Sequence, residues 1–235
     1  MTDRSATPET NDHDQDGLGK ERIGAFSDGV FAIAVTLLVL DLKMPALPPG
    51  LSHAQAGALL AHKLRAMWPQ VLAYALSFMI VGVYWVAHHL MLASVRRVDR
   101  TLLWLNNLFL MCIAFVPFAA ALLGAYPDQA PTVAAYGACL VVSSLALQVW
   151  WTYATRGGRL LRPDVTPRYV RLGTQRTLAA ASIYLAATLL AFVAPRASIA
   201  LYWGGPLCYI FLQSHVDKHL EAHRAAPRDK PTSAR

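Results

Sequence analysis

A guanidinium, a hydroxyl and a carboxylate stand where an apolar run begins: Arg22, Phe26, Ser27 and Asp28 precede residues 30–40, in which Thr36 is the one polar side chain. Two further polar groups border apolar runs. Trp85, His88 and His89 close the second run, and Trp104, Asn106 and Asn107 open the third. No reaction is written in this set. It holds no nucleophile with a base, no HExxH and no pair of carboxylates on one helix face. Its chemistry is that of satisfaction. A carboxylate at mid-bilayer costs roughly 2.5–3.5 kcal/mol, less near an interface, unless donors meet it. Imidazole, indole and amide groups are such donors.

The composition supplies the setting. Of 235 residues, 55% are hydrophobic and 15% charged, whereas soluble domains carry about 25% charge. The net charge of +7 does not read as nucleic-acid binding. The Lys and Arg residues lie in short connections between apolar runs, where they orient a membrane protein, and no basic stripe with interleaved aromatics occurs. Cys112, Cys139 and Cys208 all fall inside apolar runs, which gives neither a disulfide framework nor a metal spacing. The first 20 residues are polar and mixed in charge, unlike a cleavable signal peptide.

Six runs are near the roughly 20 residues that a bilayer needs: 24–42, 68–92, 102–123, 132–153, 177–193 and 199–212, the last continuing to Ser214. The expected fold is therefore all-α, with six transmembrane helices over 19–216, a disordered cytoplasmic tail over 1–18 and a basic cytoplasmic tail over 217–235. Residues 51–67 are expected to form a short surface helix. Gly204, Gly205 and Pro206 are expected to break the sixth span. Lys and Arg split 17 to 4 between the two sides, which puts both termini in the cytoplasm. No internal repeat is visible.

On that topology Asp28, Trp85, His88, His89, Trp104, Asn106 and Asn107 share one depth. The plainer alternative is a polar network that only locks three helices together. At 100° per residue, Phe26, Ile33, Thr36, Leu37 and Leu40 cluster on one face of the first helix, and Asp28 lies about 140° from Ile33. Asp28 is thus expected to turn into its own protomer. Ile33, Leu37 and Leu40 are offered to lipid, a neighbouring helix or something else.

Arg22 and the Phe26-Ser27-Asp28 triplet closely resemble the RxxxFSD motif of the transmembrane protein 175 family, potassium channels of endosomes and lysosomes with a bacterial branch. The His88-His89 pair and Leu102 to Asn107 are similar to that family's other marks. A single motif with six spans resembles the bacterial branch. The resemblance implies a homotetramer in the bacterial plasma membrane, with helix one of each protomer lining a central pore. It implies an apolar constriction at Ile33, Leu37 and Leu40, and a Thr36 ring that favours potassium. It also implies that Arg22, Phe26, Ser27 and Asp28 bond to His88 or His89, Trp104, and Asn106 or Asn107. An apolar ring gates by dewetting, and four hydroxyls replace ion hydration less fully than stacked carbonyl rings do. The expected activity is thus weakly selective potassium conduction with no cofactor and no enzyme chemistry.

A secondary transporter is the alternative, with its site at the broken sixth helix. A non-conducting scaffold is a third reading. His215, His219 and His223 have the spacing of zinc ligands but read more simply as a solvated helix end. The six arginines from Arg156 to Arg176 set topology and could hold anionic headgroups.

Overall fold

The computed structural model describes residues 11–207 and 209, with side chains from residue 19 onward. Seven α-helices follow in chain order: α1 (Asn11–Leu40), α2 (His53–Ala66), α3 (Trp68–Ser94), α4 (Arg100–Ala125), α5 (Ala130–Thr155), α6 (Pro167–Leu190) and α7 over 195–207. Among the described residues the β-structure is a single antiparallel bridge, Val95 to Leu161.

Local chemistry explains the boundaries. Ser52 and Gln55 form a capping box that opens α2, each satisfying a backbone N–H of the first turn. Asp99 caps α4 by accepting from the Leu102 N–H at 2.9 Å, and Thr166 caps α6 through the Tyr169 N–H. Helices α3, α5 and α6 carry a proline in the first turn, where its missing N–H costs nothing. After α1 come Pro45, Pro48 and Pro49, which cannot continue a helix, and Gly50 turns the chain at φ +86°.

α1 lies against α3 and α4, α4 packs on α3 and α5, and α5 packs on α6. α2 buries no side chain. Trp150, Trp151, Tyr136, Tyr202 and Phe109 are fully buried at the centre. Hydroxyls join the helices inside. Tyr84 Oη donates to the Leu140 carbonyl at 2.8 Å, Ser77 Oγ meets Tyr136 Oη at 3.0 Å, and Tyr202 Oη donates to the Val133 carbonyl at 3.1 Å. Such contacts fix helices where lipid supplies no hydrophobic drive for association.

Among the described residues, four helices are long and apolar enough to cross a membrane: Gly19–Leu40, Trp68–Ser94, Arg100–Ala125 and Ala130–Gly158. They correspond to the first four predicted spans. α6 falls outside that set, because Arg168, Arg171 and Arg176 occupy its first ten residues. The described part of α7 is shorter than a span, and the rest of the sixth predicted span lies outside the described residues. The predicted tail over 217–235 and the three histidines within 215–223 lie outside them too.

Two expectations are corrected. α1 begins at Asn11, inside the segment predicted as a disordered tail, so the polar residues 11–18 prolong the apolar helix. The break at Gly204-Gly205-Pro206 is absent, and α7 is helical through all three residues. Gly205 serves close approach instead. A Cβ there would stand 2.8 Å from Tyr184 Oη of α6. The transporter reading loses the feature that motivated it.

Gly137 of α5 is tighter still. A Cβ at this position would overlap Tyr202 Oη and Thr188 Oγ1. Gly137→Ala is expected to destabilise the protein by roughly 1–3 kcal/mol, as overpacking does. Gly82→Ala, which meets nothing within 4 Å, should be neutral. Melting temperatures in detergent compare the two, and equal melting would contradict this packing.

The connections at one end of the bundle are tied together. The Arg96 N–H donates to the Leu160 carbonyl at 2.8 Å, and the Arg162 N–H donates to the Ser94 carbonyl at 3.0 Å. Beside them Asp99 accepts from Tyr153 Oη at 2.7 Å and pairs with Arg159 at 3.0 Å. Burial raises the Asp99 pKa, but the Leu102 N–H, the Tyr153 hydroxyl and Arg159 outweigh it and hold the carboxyl below its ordinary value.

Candidate functional site: the two faces of α1

α1 divides into two faces. Ile23, Ser27, Phe31, Ala34 and Leu38 recur every three or four residues and are buried against α3 and α4. The opposite face is open: Phe26 is 57% exposed, Ile33 60%, Leu37 41% and Leu40 70%, and Thr36 is exposed beside them. Polar residues border the buried face and only Thr36 interrupts the open one. Thr36 Oγ1 donates to the Ile33 carbonyl at 2.8 Å. Its hydrogen is therefore spent on its own helix, and its oxygen lone pairs stay uncommitted.

The polar layer is split in two. Inside, Asn106 Nδ2 donates to Ser27 Oγ at 3.1 Å, and His88 Nε2 lies 2.8 Å from Asn106 Oδ1. In this amide orientation Oδ1 accepts, so Nε2 of His88 carries the proton. All three residues are buried. The imidazole sits among Phe31, Phe109 and Trp150, with ring centroids 6.0, 5.5 and 5.4 Å away. Ser27, Asn106 and His88 thereby join α1, α4 and α3 at one height.

Outside, Asp28 Oδ1 accepts from Trp85 Nε1 at 2.8 Å, and His89 packs on the Trp85 ring at 5.7 Å. Asp28 turns to α3 of its own protomer and stays exposed there. Ser27 and Asp28 are consecutive, hence about 100° apart on the helix, so both cannot point at α4. His89, Trp104 and Asn107 are exposed as well. Neither Arg22 nor Trp104 makes a hydrogen bond or ion pair with a described residue. Phe26 stays on the open face. The structure thus brings Ser27, His88 and Asn106 together, links Asp28 to Trp85, and leaves Arg22, Phe26, Trp104 and Asn107 at the protomer surface.

The aromatic cage around His88 has no mark in the sequence. Trp150 stands 62 positions from His88 by residue number, within an apolar run of no special pattern. Its indole Nε1 is buried without a partner. Among the described residues no group of three or more His, Cys, Asp or Glu could hold a metal ion.

The fold and this layer define a polytopic, all-helical integral membrane protein. Residues 22–117 match the family described as endosomal/lysosomal potassium channel TMEM175. A protein of Streptomyces collinus named as a potassium channel is 42% identical over 195 residues, which cover 78% of this chain and 90% of that protein. The mouse protein named endosomal/lysosomal proton channel TMEM175 is 35% identical over 187 residues, 75% of this chain but 36% of the mouse chain. The crystal structure of a lysosomal potassium-selective channel TMEM175 homolog from Chamaesiphon minutus superposes with a TM-score of 0.71 at 30% identity. It covers 82% of this chain and 97% of that one. The chain belongs to the TMEM175 family, which is a family of ion channels and not of enzymes.

Proposed function

We propose that this protein is a potassium channel of the bacterial plasma membrane, a homotetramer with six transmembrane helices per protomer and both termini cytoplasmic. α1 of each protomer lines a central pore. Ile33, Leu37 and Leu40 form the apolar constriction, and Thr36 favours potassium over sodium. One observation carries this reading: α1 buries one face in its own protomer while Ile33, Thr36, Leu37 and Leu40 stay uncovered on the other. A second copy of the same face would complete that surface, and a fourfold axis closes it into a ring. Bacterial relatives named as potassium channels, matched over most of their length, support the choice of ion.

The selectivity is weak because four side-chain hydroxyls replace only part of an ion's water. The layer of Ser27, Asn106 and His88 holds α1 in register against α3 and α4, and Asp28, Trp85 and Arg22 lie at its margin. The constriction needs no cofactor.

The test is flux through liposomes together with the mass of the purified particle. A tetramer that conducts potassium without saturating at low millimolar concentration is expected. A saturating flux would indicate a transporter, and no flux a scaffold. Proton flux is read in parallel, because the mammalian relatives are named proton channels.

Thr36→Ala is expected to leave a conducting pore and lower the potassium-over-sodium preference severalfold. The hydroxyl oxygen is the one polar side-chain atom on the Ile33 face. Reversal potentials in mixed potassium and sodium measure this. An unchanged value would move selectivity to backbone carbonyls or to another helix.

A further inference from the structure

One face of α6 has a cationic end and an apolar body. Arg171, Gln175, Leu178, Ser182, Leu185 and Leu189 recur at helical spacing, and all are exposed. Arg168, one turn before Arg171, extends the cationic end. The opposite face carries Thr177, Ala181, Tyr184 and Ala187, which are buried. No Asp or Glu occurs anywhere on α6. Asp164, three residues before α6, is already engaged by Arg162 at 3.0 Å, and Asp99 in the neighbouring connection by Arg159. Arg168 and Arg171 make no ion pair with a described residue. The same end of the bundle is anchored firmly. Tyr169 Oη donates to the Leu90 carbonyl of α3 at 3.2 Å, and its ring packs on Trp151 of α5. The two guanidinium groups therefore project from a fixed platform.

We infer that this face binds an anionic glycerophospholipid, its phosphate held by Arg168 and Arg171 and one acyl chain lying along Leu178, Leu185 and Leu189. The charge pattern requires both parts of that ligand. Guanidinium groups pair with phosphate oxygens in a planar, bidentate fashion. A row of exposed leucines over more than two turns, interrupted by Ser182 and with no covering contact among the described residues, runs on from them and fits hydrocarbon better than water. A free anion would use the arginines and leave the leucines without a purpose. A zwitterionic lipid would use the leucines but bring a choline or ethanolamine cation against the arginines. The inference rests on α6 crossing the bilayer, as proposed above.

The full-length protein is purified in neutral detergent, and native mass spectrometry reads the binding of phosphatidylglycerol, of phosphatidylcholine with the same chains, and of inorganic phosphate. Phosphatidylglycerol is expected to bind best. The Arg168→Gln/Arg171→Gln variant should weaken it about 25-fold, roughly fivefold per cation, and leave phosphatidylcholine unchanged. Each single variant should lose about fivefold, which keeps the test valid if the double variant assembles poorly. Arg168→Lys/Arg171→Lys keeps the charge but not the planar fork, so it should weaken binding less than the glutamine pair does, and Lys43→Gln should leave it unchanged. Equal affinity for the two lipids, an unaffected double variant, or equal binding of inorganic phosphate would overturn the assignment. The membrane position of α6 is read separately, by quenching of a Leu185→Trp variant with phosphatidylcholine brominated in its acyl chains. Quenching without phosphatidylglycerol preference leaves the span intact and removes the lipid site. No quenching removes the span and the lipid site together.

Discussion

Ile33→Asn is expected to raise potassium flux about tenfold or more, which asks only about 1.4 kcal/mol of the barrier. Isoleucine at this position is 60% exposed on the open face of α1. Four copies converging on an axis would leave a narrow, dry neck. The barrier to a hydrated cation in such a neck is mostly the loss of water. Asparagine brings a donor and an acceptor and is smaller than isoleucine, so the neck should widen and wet. A lipid-facing Ile33 would behave differently. Amides in hydrocarbon would reduce the yield of assembled protein and open nothing. Flux per assembled particle, measured beside a size-exclusion profile, separates the two. Normal assembly with flux no higher than the parent would falsify the pore assignment of α1.

Much of the fold is legible in the sequence because membrane insertion imposes a coarse rule. Apolar length announces the first four spans, and the proline-rich turns that separate some of them are equally plain. The residues of the polar layer could also be named, since a polar group in an apolar run needs a reason. Their pairing could not be read. Ser27 and Asp28 are adjacent letters, and which one points at α4 depends on how α1 is rotated against two helices far away in sequence. The same holds for His88 against His89 and for Asn106 against Asn107, where the structure buries the first of each pair. Gly205 shows a different limit. A glycine that loosens a helix and a glycine that admits a neighbour look identical until the neighbour is known. Here it is Tyr184, on the preceding helix. The start of α1 failed for a third reason: polarity argues against burial, and a helix that continues beyond the membrane needs none.

Asn106→Leu is expected to cost roughly 1–3 kcal/mol of stability, most of it at His88. The amide is the middle of a three-residue chain, so its loss strands both neighbours. They do not suffer equally. Ser27 Oγ can turn to a carbonyl of its own helix, as serines in helices do. His88 Nε2–H, which faces Asn106, belongs to a ring packed among Phe31, Phe109 and Trp150 and has no such refuge. A weaker outcome is set by the average inter-helix hydrogen bond in membranes, worth about 0.6 kcal/mol. The full loss wins here because the stranded group is an imidazole N–H sealed from lipid headgroups and water alike. The asymmetry supplies a sharper test. His88→Phe/Asn106→Leu removes both partners and leaves an apolar cage filled by an apolar ring, so it should melt above Asn106→Leu alone in the same detergent. The coupling read from that double-mutant cycle should be about 1 kcal/mol or more. Additive losses would mean that the three residues merely sit together, and that α1 is held in register by Phe31, Ala34 and Leu38 instead.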